Sequence, residues 1–113
     1  MYRCPVHEPT YVVLAALLEG PLYGYAIVKT AEELSGGQVK LTAGTLYGAL
    51  NRLCQEGLVA EDHEEVVDGR KRRYYRLTET GVEALTSEAD RLALLADAVR
   101  ARLRPKSPSV AWS

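Results

Sequence analysis

Thr42-Ala43-Gly44-Thr45-Leu46-Tyr47-Gly48-Ala49-Leu50-Asn51-Arg52-Leu53-Cys54-Gln55-Glu56-Gly57 is the stretch on which the fold turns. Thr42 suits an N-cap, because a threonine hydroxyl can accept one of the amide protons left unpaired at a helix start. Leu46, Leu50, Leu53 and Cys54 recur at the i, i+4, i+7, i+8 spacing of one apolar helix face. Gly57 stands where a left-handed C′ residue ends a helix. These features predict a helix over about 43–56. Its opposite face carries Gly44, Thr45, Gly48, Asn51, Arg52 and Gln55, with Tyr47 at the flank. Two helical glycines cost about 1 kcal/mol each relative to alanine, so this small, polar face is shaped for something that approaches closely. An ordinary solvated face would carry more Lys and Glu.

Downstream, Leu58–Val67 and Arg70–Leu77 flank Asp68-Gly69, a strong two-residue hairpin signal. Such a turn pairs residues whose numbers sum to 137, so Glu65 faces Arg72, Glu64 faces Arg73, Glu61 faces Arg76 and His63 faces Tyr74. The charges of the hairpin are sorted: Glu61, Asp62, Glu64, Glu65 and Asp68 precede Arg70, Lys71, Arg72, Arg73 and Arg76. Two readings of the basic cluster follow. It contacts phosphates, or it holds the hairpin together through cross-strand charge pairs. Arg70 and Lys71 face Val67 and Val66 and are expected to lack acidic partners.

Upstream, Pro9 suits a first helical turn and Thr10–Glu19 is almost entirely apolar, so that helix must be buried on more than one side, by its own domain or a partner chain. Gly20-Pro21 ends it. A second helix is predicted over Tyr23–Leu34, with Ile27, Ala31 and Leu34 on one stripe and Gly36-Gly37 as its stop. After the hairpin, Thr78 caps a last helix running to about Leu103. Val82, Leu85, Ala89, Leu92, Ala96, Val99 and Leu103 alternate at spacings of three and four, a heptad seam suited to homodimerisation. The predicted organisation is a winged helix-turn-helix DNA-binding domain over 8–77, a C-terminal dimerisation helix over 78–104 and a disordered tail over 105–113.

The 113 residues suffice for one compact domain and exclude a Rossmann enzyme or a barrel. With 47% hydrophobic and 26% charged residues, the composition is that of a globular protein, and the longest apolar run, Tyr11 to Leu18, is too short to span a membrane. No signal peptide is read at the N-terminus, so a cytoplasmic location is expected. The net charge is only −1, yet a local basic cluster can bind phosphates irrespective of the sum. No histidine stands in a nucleophile or metal motif, so neither an enzyme nor a cofactor is expected.

Three helices, a hairpin and a long helix, mainly α with one β-hairpin, match a winged helix-turn-helix. Within that order, Gly20-Pro21-Leu22-Tyr23-Gly24-Tyr25, Gly44-Thr45-Leu46-Tyr47-Gly48-Ala49-Leu50-Asn51-Arg52-Leu53, Glu56-Gly57-Leu58-Val59 and Arg72-Arg73-Tyr74-Tyr75-Arg76-Leu77-Thr78-Glu79-Thr80-Gly81 are similar to the PadR family of bacterial transcriptional regulators. The resemblance covers about residues 10–104 in order and spacing. It implies a homodimeric repressor whose paired recognition helices read a palindromic operator in double-stranded DNA. By the same resemblance Thr42, Gly44, Thr45, Tyr47, Gly48, Asn51 and Arg52 lie near DNA, Tyr23 and Tyr25 near its backbone, and Arg70, Lys71, Arg72 and Arg73 on the wing. Two positions depart from the family pattern: Ala43, where proline is frequent, and Gly48, where a basic or bulky residue is frequent. Some small family members bind flat aromatic compounds at the dimer centre, which makes a small aromatic or apolar effector an expectation here.

Two other readings use the same residues. Cys4 and His7, joined by Cys54 and His63, would complete four ligands of a zinc-responsive regulator; against this, Cys54 falls on the apolar helix stripe, where a free cysteine acts as a small hydrophobe. A winged helix can also serve as a protein–protein module, which would call for an apolar recognition face rather than one of Thr, Asn, Arg and Gln.

Overall fold

A computed structural model describes residues 8–103. Its elements are α1 (Glu8–Ala16), β1 (Leu22–Tyr23), α2 (Gly24–Leu34), α3 (Ala43–Gln55), β2 (Val59–Val67), β3 (Arg70–Leu77) and α4 (Glu79–Leu103). The strands form one antiparallel sheet in the order β1-β3-β2. Cys4, His7, the last position (104) of the expected dimerisation helix and the tail over 105–113 lie outside the described residues. No helix among the described residues is long and apolar enough to cross a membrane.

Local chemistry explains the ends of α3. The Thr45 N–H donates to the Thr42 hydroxyl at 3.2 Å. At the other end Gly57 has φ +79°, while its N–H reaches the Cys54 carbonyl and the Leu58 N–H reaches that of Leu53, the paired bonds of a Schellman cap. The hairpin turn is equally local: Asp68 and Gly69 have φ 53° and 78°, as a type I′ turn requires.

Four expected boundaries or registers differ. The first helix ends at Ala16 rather than Glu19, because Leu17 and Leu18 bond to the carbonyls of Leu14 and Ala15 in tightened i→i−3 turns. α2 begins at Gly24, since Leu22 and Tyr23 are drawn into a strand paired with Tyr75 and Tyr74. α3 is one residue shorter, with Glu56 as its C-cap. The sum-to-137 register holds from Val67↔Arg70 to His63↔Tyr74, where a bulge at Asp62 shifts it. Glu61 therefore pairs with Tyr75, not Arg76.

One core joins all the layers. Val13, Leu14 and Leu17 meet Ile27 of α2, Leu46, Leu50 and Leu53 of α3, Val59 and Tyr75 of the sheet, and Leu85 of α4. Burying each such aliphatic side chain contributes about 1.5–3 kcal/mol. The all-round apolar character of α1 is thus met largely inside its own chain. Leu85, expected on the dimer seam, is likewise a core residue at 5% exposure.

α4 is docked by its first turn. The Thr78 hydroxyl accepts from the Gly81 N–H at 3.0 Å and donates to the Gly57 carbonyl at 2.6 Å, and the Thr78 N–H donates to the Leu58 carbonyl at 3.1 Å. At about 1.5 Å per residue the helix is roughly 37 Å long, and it outruns the domain. The stripe buried at Leu85 and Glu88 emerges at Leu92, Leu95, Val99 and Leu103, all exposed.

Candidate nucleic-acid interface

Thr42, Gly44, Thr45, Tyr47, Gly48, Asn51 and Arg52 are all exposed, with Tyr47 and Arg52 at the flanks of the face and leaning back on α2 and α1. A Cβ added to Gly44 or Gly48 would meet nothing within 4 Å. Packing within the chain therefore makes no demand for glycine at either place, and the small surface is left to whatever approaches from outside. Gly24 is different: a Cβ there would collide with the Tyr47 hydroxyl, the far end of a half-exposed side chain that would have to move aside.

Not every expected contact residue points outward freely. The Arg52 guanidinium donates to the Thr10 hydroxyl at 3.0 Å, tying α3 to α1. Thr10 is itself buried, so Arg52 closes the domain and is only in part available to a partner. Tyr25, in the first turn of α2, is 64% exposed. Tyr23 is half-buried and lies beneath Arg72, whose guanidinium carbon stands 4.3 Å from the ring centre.

The wing divides its basic residues. Arg73 is held by Glu64 at 3.3 Å, with Glu61 at 3.7 Å, and Arg76 by Asp62 at 3.4 Å, a partner supplied by the bulge in place of the expected Glu61. Lys71, expected to lack an acid, has Glu64 at 3.9 Å, the long edge of an ion pair. Arg72, expected to pair with Glu65, does not. The Glu65 carboxylate is taken by His63 at 3.1 Å and by the Tyr74 hydroxyl at 3.1 Å, contacts that hold its pKa below the usual carboxylate value. Arg70 has no ion-pair partner among the described residues. Exposed pairs of this kind are weak and salt-sensitive, so a phosphate can displace them.

The cross-strand row Tyr23, Tyr74 and His63 is not legible in the sequence, because β1 carries only two residues, too few for any periodicity; only its His63–Tyr74 half follows from the hairpin turn. Of the four residues considered for zinc, two are described. Cys54 is half-buried against the core, and burial, helped by Glu61, pushes its thiol pKa up, which disfavours the ligating thiolate. His63 is engaged by Asp62 and Glu65.

A helical core whose third helix shows a small polar face, followed by a two-stranded wing, defines a winged helix-turn-helix protein. The chain belongs to the PadR-like family of transcriptional regulators, whose family model matches residues 13–87. It is 45% identical over 65 residues to a transcriptional regulator of Mycobacterium tuberculosis, covering 58% of this chain and 60% of that one. Among solved structures, a PadR family transcriptional regulator from Eggerthella lenta superposes with a TM-score of 0.68 at 33% identity, over 86% of this chain and 82% of that one. Bacillus subtilis PadR in complex with operator DNA superposes with a TM-score of 0.61 at 25% identity, over 69% of this chain and 44% of that one. The chain spans from 25% to 64% of the length of the curated relatives it matches.

Proposed function

We propose that the protein is a sequence-specific DNA-binding regulator acting as a homodimeric repressor, with α3 in the major groove and the wing on flanking phosphates. The observation that carries this reading is the outward face of α3, where Gly44 and Gly48 serve no internal contact and stand among Thr42, Thr45 and Asn51. A major groove admits a single helix, and small residues let it sit deep. Bacillus subtilis PadR, whose fold this chain shares, is in complex with operator DNA, which supports DNA as the partner. The exposed stripe from Leu92 to Leu103 supports dimerisation, and Ala89 and Ala96 on the same helix would leave room at its centre for a small apolar effector.

Selection of bound duplexes from a random pool tests this directly. Enrichment of a palindrome with half-sites about one turn of DNA, roughly 34 Å, apart is expected; failure to enrich any sequence would refute the reading. Replacing Arg70 and Lys71 together by Ala should weaken binding to all sequences alike and reduce the salt slope by about 1 per lost phosphate contact. An unchanged slope in titrations at several salt concentrations would make the wing purely structural. Gly48→Ala should raise the stability of the free protein by about 1 kcal/mol through helix propensity while lowering operator affinity. Denaturant melts and binding isotherms of the same preparation check both signs.

A further inference from the structure

Tyr23, Tyr74 and His63 form one row across the three strands. His63 stacks on Tyr74 with ring centres 4.4 Å apart and planes 10° from parallel, and Tyr74 meets Tyr23 at 5.5 Å. The imidazole stands between two carboxylates, its Nδ1 against Asp62 and its Nε2 against Glu65. Glu65 is the direct cross-strand partner of Arg72. An ion pair is the ordinary outcome of such a juxtaposition, yet none joins them among the described residues, and Arg72 lies over Tyr23 instead.

We propose that His63 is a positioning residue for DNA binding: by engaging Glu65 it keeps that carboxylate off Arg72, whose half-buried guanidinium stays over the Tyr23 ring and beside the Tyr74 hydroxyl, with no carboxylate to give up when a phosphate arrives. This rests on the DNA-binding function proposed above. An imidazolium has two N–H groups and donates to Asp62 and Glu65 at once, whereas neutral imidazole has one and must turn a lone pair toward one of them. Glu65 then keeps only the Tyr74 hydroxyl, and Arg72 opposite becomes its nearest cation. Once paired with Glu65, the guanidinium must give up that carboxylate before it can meet a phosphate, which weakens its contact without abolishing it.

The groups facing His63 are Asp62 and Glu65 on its own strand and Tyr74 on β3. Beyond them Arg72 acts on the Tyr74 hydroxyl and on Glu65, and Arg76 shares Asp62 at 3.4 Å. Asp62 first and Glu65 second hold the His63 pKa above the ordinary histidine value. The phosphate-competent arrangement therefore prevails below that raised pKa and is lost as pH rises through it.

Duplex binding measured from about pH 6 to pH 8.5, which brackets the histidine range, should weaken roughly fivefold as pH rises, with the salt slope falling by about 1. The probe is the duplex selected by the wild type from a random pool. Glu65→Gln should stay at the low-pH affinity throughout, since Arg72 has no carboxylate to turn to. His63→Gln should stay at the high-pH affinity. In the free protein, the Arg72 Nε–H resonance should follow the His63 ring titration, and should cease to do so in Glu65→Gln. A plain charge effect of His63 on DNA predicts that Glu65→Gln keeps the wild-type pH dependence; that result, or an Arg72 resonance indifferent to His63, overturns the proposal. Binding intact with an unaltered slope thus marks failure of the positioning alone, whereas no duplex bound at any pH overturns the DNA-binding function and this role with it.

Discussion

Replacing Leu92 and Leu95 by Asp is expected to turn the protein into a monomer with a normally folded domain and no measurable operator binding. Both leucines lie on the stripe of α4 that is buried at Leu85 and Glu88 and continues exposed to Leu103. At 37% and 50% exposure they support little within the chain, so the domain loses little by their replacement. In a dimer the same positions would be covered, and burying a carboxylate there without a partner costs several kcal/mol. A loss of about 3 kcal/mol raises the dissociation constant more than a hundredfold. A palindrome is read by two recognition helices held at a fixed spacing, so each half alone binds far more weakly. Sedimentation at micromolar concentration supplies the check. A wild type that already sediments as a monomer removes the homodimer from the proposed function.

Gly81→Ala should be the most destabilising exchange of glycine for alanine among the described glycines, even though helix propensity alone would favour it by about 1 kcal/mol. Gly81 sits in the first turn of α4, and a Cβ there would fall on the Leu58 carbonyl oxygen, with Leu77 a further 3.1 Å neighbour. That obstacle is backbone, which cannot rotate aside as a side chain would. The Leu58 carbonyl also accepts the Thr78 N–H, and the Gly81 N–H donates to the Thr78 hydroxyl. Displacing the turn therefore loosens the cap and the docking of Leu85 in one step. A loss of about 2–4 kcal/mol is expected, seen as a lower denaturant midpoint. Gly48→Ala is the control: the same chemical change in the open should act with the opposite sign. If the two variants shift the midpoint alike, close approach at Gly81 is not what requires glycine there.

Whatever depends on residues within about a turn of one another is legible in the order of amino acids alone. Thr42 and Gly57 bound α3 because the groups they satisfy are three or four residues away. Asp68-Gly69 dictates the hairpin because only that turn demands two positive φ angles. The small polar face of α3 and the sorted charges of the wing were legible for the same reason, and so was the family resemblance they carry. What depends on residues far apart in the chain follows only from how the folded elements meet. β1 exists only because β3 lies beside it, 51 residues later at Tyr74. The bulge at Asp62 redirects Arg76, and occupation of Glu65 by His63 and Tyr74 sends Arg72 to Tyr23. Arg52 reaches back 42 positions to Thr10. Periodicity placed Leu85 and Leu92 on one stripe of α4 without distinguishing them; only where the domain ends makes the first core and leaves the second exposed. A side chain's face is set by the helix it belongs to, but its partner is set by what the rest of the chain brings to that face.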